Sequence, residues 1–313
     1  MSAAGPMSSD RRYEVQSFPA LAAASASFGG RDGATVDSDK AKVLILPVPY
    51  DGTTTYAPGT RQGPSAIIQA SQHLELFDDE TGYDVFRVGI ATLEEVEVDV
   101  SSPQAMVAKV KSLGEKMLDG GFFPLMFGGE HLLSVGMIEA VASRTENLSI
   151  LQLDAHTDLR ESYQGAEHSN ACVMRLASHY GALVPVGVRS LSDEEHRWIE
   201  EHSVQVFYAR DIYNRSNWQQ KVVEQLLPHV YITIDLDVFD PGIMPAVGTP
   251  EPGGLHWYEV LRLLRLVCQA RKVVGADIME LCPQPGNIAP DFLTAKLAHK
   301  LLAYRFESEL SPS

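Results

Sequence analysis

A three-layer α/β/α arrangement with a mostly parallel central sheet is predicted by three observations. Short apolar, β-prone runs alternate with stretches of helical length along most of the chain. That alternation implies βαβ units, with helices on both faces of the sheet. No internal repeat and no linker interrupts it after residue 40, so residues 41–313 read as one domain and residues 1–40 as an irregular arm. Finally, two rows of acidic residues stand where predicted strands end, which is where open α/β sheets bind their ligands.

The arm is rich in small residues from Ala20 to Ser27 and then carries Gly29, Gly30 and Gly33, a composition suited to an irregular segment used in subunit contacts. Val43 to Val48 reads as a strand, and Pro64 to Phe77 as a helix with proline near its start. Pro103 to Leu118 is a helix with Ser101 or Ser102 as its cap. Phe123 to Phe127 is a buried strand and Leu132 to Ala142 a helix. Strand Leu148 to Leu153, helix Ala171 to Ser178, strand Val184 to Val188, helix Ser192 to Glu201 and strand Val204 to Tyr208 continue the pattern. Helix Trp218 to Leu227, strand Val230 to Asp235, helix Trp257 to Ala270, strand Val273 to Ile278 and helix Asp291 to Tyr304 complete it.

The 313 residues are 45% hydrophobic and 21% charged, as in globular proteins with a large core. A net charge of -16 disfavours nucleic acid, whose phosphates need clustered Lys and Arg, and suits cationic ligands, metals or amines. It equally suits mere solubility. Cys172, Cys268 and Cys282 lack C-x-x-C spacing, so no disulfide framework is expected and a reducing cytoplasm fits. No apolar run is long enough for a membrane span. Arg11 and Arg12 precede Ala/Ser-rich sequence without an apolar signal core, which leaves a transit peptide as the weaker alternative to no leader.

The chemistry concentrates in a few stretches. In Asp154-Ala155-His156-Thr157-Asp158, the ligand-type side chains alternate, and in extended chain such residues share a face. Asp235-Leu236-Asp237 repeats the arrangement after a second strand, whereas Asp240, before Pro241, reads as a turn residue. Gly128-Gly129-Glu130-His131 follows the strand Phe123 to Phe127, where a sharp turn would leave His131 at a strand's carboxyl end. So many carboxylates resist ionising together without a counter-ion. Oxygen-rich ligands with a little imidazole suit Mn²⁺ or a similar hard ion, and bridging carboxylates allow two. The Gly248 to Gly254 loop reads most simply as a turn. Glu280, after the strand Val273 to Ile278, joins the same sheet edge, where a carboxylate could hold a guanidinium bidentately.

Taken together, these motifs resemble the ureohydrolase family, which includes arginase and agmatinase, over about residues 42 to 305. Pro49-Tyr50-Asp51-Gly52-Thr53-Thr54, Gly59-Thr60-Arg61-Gln62-Gly63-Pro64, Gly187-Val188-Arg189-Ser190 and Gly248-Thr249-Pro250-Glu251 resemble the agmatinase branch. The resemblance implies the three-layer fold, a binuclear Mn²⁺ centre (with Ni²⁺ or another divalent ion as the alternative) and homo-oligomers, trimers or pairs of trimers. By motif position it assigns His131, Asp154, Asp158 and Asp235 to one metal and Asp154, His156, Asp235 and Asp237 to the other. It implies that Glu280 holds the substrate guanidinium, that a metal-bridging hydroxide attacks its carbon, and that Asp158 carries the proton to the departing amine.

One stretch departs from the family. Aligning on Ala171-Cys172-Val173-Met174 puts Asn170 at the family's loop histidine, with His168 two residues upstream. Either His168 reaches in from a reshaped loop as a catalytic residue, or the shuttle is absent. The leading expectation is hydrolysis of agmatine to putrescine and urea, with Glu161, Glu167 and Glu251 drawing a cationic tail. Guanidinobutyrate, formiminoglutamate or guanidine are the alternative substrates. A non-catalytic member of the family is the competing class, disfavoured by the full ligand set.

Overall fold

The computed structural model describes residues 27–30 and 41–310, apart from Thr55 and Asn214. Strand β1 is Val43–Val48, helix α1 Gly63–Ser71, and a small hairpin pairs β2 (Phe77–Asp78) with β3 (Tyr83–Asp84). Next come β4 (Ile90–Thr92), α2 (Pro103–Asp119), β5 (Phe123–Gly128), α3 (Ser134–Ala142), β6 (Leu148–Leu153) and α4 (Val173–Ala177). Then follow β7 (Ala182–Val188), α5 (Asp193–His202), β8 (Phe207–Tyr208), α6 (Ala209–Ile212), α7 (Trp218–Gln225) and β9 (His229–Asp235). The last elements are α8 (Trp257–Ala270), β10 (Lys272–Met279), α9 (Ala289–Arg305) and α10 (Glu307–Leu310).

Eight strands form one parallel sheet in the order β4-β1-β5-β10-β9-β6-β7-β8, as the alternating pattern predicts. Alternate side chains feed two cores. Val43, Ile45, Leu125, Leu151, Ile232 and Ile278 pack beneath α1, α7, α8 and α9. Leu44, Leu46, Met126, Ile150 and Met279 face α2, α3, α4 and α5 on the other side. Strands apolar on both faces are the signature of a sheet covered twice.

Several boundaries differ from the sequence reading. Helix α1 stops at Ser71 rather than at Phe77, because Asp78 is drawn into the hairpin turn, accepting from the Glu80 and Thr81 amides and pairing with Lys300 of α9. The strand expected from Val204 keeps only Phe207–Tyr208, and the edge strand β4 went unpredicted. Ser102 caps α2 by accepting from the Ala105 amide. The arm expected over residues 1–40 lies largely outside the described residues. Within it, Phe28 is buried between Phe86 and Phe127, and its amide bonds Thr92 Oγ1.

The topology matters for function in one respect. The four central strands are β5, β10, β9 and β6, side by side and all parallel, so they end on one edge. His131 follows β5, Asp154 follows β6, Asp235 ends β9, and Glu280 follows β10.

Candidate metal centre

The turn after β5 needs glycine at position 129, because a Cβ there would meet the Tyr50 carbonyl oxygen at 2.0 Å. That close passage lets the chain double back and sets His131 over the sheet edge. Its Nδ1 lies 3.1 Å from Asp158 Oδ2, 3.2 Å from Asp154 Oδ2 and 3.5 Å from Asp235 Oδ2. His156 Nδ1 lies 2.9 Å from Asp237 Oδ2 and 3.6 Å from Asp154 Oδ1. Two ligand groups result, His131 with Asp154 and Asp235, and Asp154 with His156 and Asp237; within each, the ligand atoms lie within 4.8 Å of one another. Asp154 belongs to both.

Backbone amides aim these carboxylates. Asp154 Oδ1 accepts from the His156 amide at 2.6 Å, and its Oδ2 accepts from Gln152 Nε2 at 2.8 Å. Asp235 Oδ1 accepts from the Asp237 amide, and Asp237 Oδ1 from the Ala155 amide, each at 2.9 Å, which ties the β6 and β9 ends together. Asp158 and Glu280 both hold positive φ, 50° and 67°, where side-chain-bearing residues are strained. Asp158 is kept there by the Met174 and Arg175 amides on its carbonyl, and Glu280 by its own amide on the Gly129 carbonyl. The Glu280 carboxylate accepts from the His131 amide at 2.7 Å.

The electrostatics follow from packing carboxylates away from water. Burial and the Asp154 charge push the Asp158 carboxyl up to about 7. Burial, with Asp237 and Asp154, drives Asp235 well above the carboxylate range. Glu280 is pushed up to about 8, chiefly by burial. Burial works against charge on His156, but Asp237 and Asp154 overcome it and push the imidazole up to about 12. Asp154 is buried too, yet the His131 and His156 rings, 3.2 and 3.6 Å from its oxygens, hold it below its ordinary value. His131 Nδ1 faces three carboxylate oxygens but has no hydrogen-bond partner, although it is buried. A hard, oxygen-rich donor set around an unpartnered ring nitrogen fits divalent cations.

A cavity of about 190 Å³ opens over this cluster, lined by His156, Asp158, Asp235, Glu280, Asn170 and Thr249, with Tyr56, Arg160 and Tyr163 towards the rim. The six residues that the sequence reading offered as metal ligands lie together at this sheet edge, and His156, Asp158, Asp235 and Glu280 line the cavity itself. His168 does not: it is absent from the lining, and its Nδ1 lies 3.3 Å from Gln104 Nε2 beside α2. Asn170 lines the cavity instead, its Oδ1 accepting from the Leu132 amide at 3.2 Å. Asp240 is structural, accepting from the amides of Gly242, Gly253 and Gly254. Sequence reasoning missed Glu130, which accepts from the Thr53 amide and hydroxyl and so holds the rim loop, and is pushed up to about 7 by burial. It also assigned no role to Arg189, which gathers the carbonyls around Asp237.

The family model described as "Arginase family" matches residues 41–305. This chain belongs to the arginase family. An N(1)-aminopropylagmatine ureohydrolase from Synechocystis sp. is 39% identical over 277 residues, covering 86% of this chain and 90% of the relative. An agmatinase from Pyrococcus horikoshii is 38% identical over 265 residues, 84% of this chain and 92% of the relative. The crystal structure of agmatine ureohydrolase of Thermoplasma volcanium superposes with a TM-score of 0.80 at 31% identity, covering 89% of this chain and 95% of that one. The chain is therefore an agmatinase-like ureohydrolase, a hydrolase acting on C–N bonds of linear amidines. The family is one of binuclear metal enzymes. Among the described residues, no helix is long and apolar enough to cross a membrane.

Proposed function

We propose that this enzyme hydrolyses agmatine to putrescine and urea at a two-Mn²⁺ centre. The observation that carries this reading is that two ligand groups share Asp154 and reach, through Asp235 and His156, the cavity that the buried carboxylate of Glu280 also lines. His131, Asp154, Asp158 and Asp235 would hold one ion, and Asp154, His156, Asp235 and Asp237 the other. Bound there, the ions (Mn²⁺, with Ni²⁺ as the alternative) supply the Lewis acidity that makes water a nucleophile near neutral pH.

The chain's own residues do the rest. The Glu280 carboxylate, locked by the His131 amide, pairs with the planar guanidinium and turns its carbon towards the cluster. Asp158, at the edge of the cluster and in the cavity lining, takes the proton from the attacking water and delivers it to the departing amine nitrogen. Asn170 cannot shuttle protons, so Asp158 works without the family's loop histidine. Glu251, with Oε1 4.0 Å from His156 Nε2, adds negative charge that favours a cationic tail.

The name of the Synechocystis relative supports a second reading, in which the tail carries an aminopropyl extension. Metal-free protein reloaded with Mn²⁺ or Ni²⁺ and offered agmatine, N(1)-aminopropylagmatine, guanidinobutyrate, formiminoglutamate and guanidine separates these. Urea from the first two alone supports the cationic-tail reading. A preference for guanidinobutyrate overturns it, and no hydrolysis of any compound by fully loaded protein overturns catalysis altogether.

A further inference from the structure

A buried carboxylate that the proposed chemistry does not use grips the stretch that carries Asp158. Glu195 stands in the first turn of α5, where it completes a capping box. Ser192 Oγ accepts from the Glu195 amide at 3.3 Å, and Glu195 Oε2 accepts from the Ser192 amide and hydroxyl, each at 2.7 Å. The box uses one carboxylate oxygen. The other turns inward, for Glu195 is 4% exposed and absent from the cavity lining. Its Oε1 accepts from the Thr157 hydroxyl at 2.8 Å and from the Leu159 amide at 3.0 Å. Thr157 and Leu159 are fully buried and flank Asp158, whose φ is 50°. Arg160 Nε, 3.9 Å from Glu195 Oε2, is the cation beside the group.

From this geometry we infer that Glu195 is a positioning residue, which acts through Thr157 and Leu159 to aim the Asp158 carboxylate at the metal cluster. A side-chain-bearing residue at positive φ is strained, and it keeps that conformation only while the chain on either side is held. The peptide plane after Asp158 is held from two directions. Its carbonyl accepts from the Met174 and Arg175 amides, and its N–H, that of Leu159, donates to Glu195. Thr157 anchors the chain before Asp158 to the same Glu195 oxygen. With both sides fixed, the Asp158 side chain is left facing His131, its Oδ2 3.1 Å from Nδ1. Removing the carboxylate would leave a buried hydroxyl and a buried amide without an acceptor, and the stretch would relax to find others. The helix cap thereby doubles as a clamp on a residue that serves both as a proposed ligand and as the proposed proton carrier.

The inference rests on the metal-centre reading, and the test separates the two. Full-length wild type, Glu195→Ala, Thr157→Val, Thr157→Ser and Ser192→Ala are compared for Mn²⁺ stoichiometry and affinity by chelator competition, and for melting temperature. At saturating Mn²⁺, kcat and KM are measured on the guanidino compound that wild type hydrolyses best. Thr157→Val takes one bond from Oε1 and leaves the capping box intact, so it decides the matter if Glu195→Ala misfolds. It should weaken one of the two ions by about 10–100-fold and lower kcat more than it raises KM. Thr157→Ser keeps the hydroxyl and should restore both. Ser192→Ala weakens the cap alone, so it should lower the melting temperature and leave Mn²⁺ affinity unchanged. Wild-type affinity at both ions with wild-type kcat in folded Thr157→Val overturns the positioning role. Equal losses in Thr157→Val and Thr157→Ser, or an equal loss of affinity in Ser192→Ala, overturn it too, because packing or helix capping then accounts for the effect. A wild-type protein that binds no divalent ion overturns the metal centre itself.

Discussion

Arg189→Met tests how the fold holds the site. The Arg189 guanidinium stands where β7 ends and donates to carbonyls of three chain segments: Gly187 at 3.1 Å, Asp237 at 2.6 Å, Val238 at 3.4 Å, Phe239 at 3.3 Å, Glu251 at 2.8 Å and Pro252 at 3.1 Å. Charge-assisted bonds contribute about 1.5–3 kcal/mol each, so losing all six carbonyl contacts would naively cost roughly 9–18 kcal/mol. Pro252 is exposed and Glu251 half-buried, so their carbonyls rehydrate in the variant, and the Val238 carbonyl keeps its bond from the Leu255 amide, whereas the carbonyls of the buried Asp237 and Phe239 are left without a donor. Two orphaned carbonyls at about 1–3 kcal/mol each give a cost near 4 kcal/mol. Because the freed segments carry Asp237 and the loop after Thr249, the loss should be local as well as global. Denaturant unfolding measures the first, and hydrogen exchange of residues 249–254 the second. Arg189→Lys should rescue little, since an ammonium cannot fork across three segments. Unfolding free energy within 1 kcal/mol of wild type, with unchanged exchange in that loop, would refute the reasoning.

Three further outcomes are expected. Asp154→Ala and Asp235→Ala should lose bound metal along with activity, whereas Glu280→Gln should keep both ions and lose kcat/KM by roughly 10²-fold or more; metal analysis showing two ions in Asp235→Ala contradicts the shared-ligand assignment. Lys300→Met should cost about 3–5 kcal/mol, because Lys300 Nζ lies 2.8 Å from the fully buried Asp78, which is left charged and unpaired. Burial raises the Asp78 carboxyl, but Lys300 and Thr81 outweigh it and hold it below its ordinary 3.8, so its contribution is present above that pH and is lost as the pH falls through the lower folded value; an acid-unfolding midpoint unchanged in Lys300→Met counts against this. Stripping the metal should lower the melting temperature, since free ion at a hundred times Kd stabilises by about 2.7 kcal/mol; identical melting of stripped and loaded protein argues against tight binding to the folded state.

The central strands were legible because each is a β-prone run bounded by turn residues, and the ligands because Asp154, His156 and Asp158 alternate directly after one of them. The end of α1 was not, since what unwinds the chain before Phe77 is the pairing of Asp78 with Lys300, far away in sequence. Nor was the fate of His168. Its loop is set by the Met174 and Arg175 amides closing on the Asp158 carbonyl, which places Asn170 in the lining and leaves His168 beside Gln104. The positive φ of Asp158 and Glu280 leaves no mark either, because neither position is glycine.

The buried polar residues Tyr231, Thr233 and Asp277 of β9 and β10 are a different case, because their signal was present. Strands β9 and β10 read as apolar, buried runs, yet Tyr231, Thr233 and Asp235 recur at period two within β9, and Asp277 interrupts β10. A half-exposed strand explains such alternation by facing its polar residues to water. That explanation fails here, because both strands lie in the middle of an eight-stranded sheet with helices over each face. A polar residue fixed inside such a sheet costs free energy unless something uses its hydrogen bonds. Period-two polarity in a strand that the topology buries on both faces therefore points along the strand to a user. On β9 that direction ends at Asp235, beside His131.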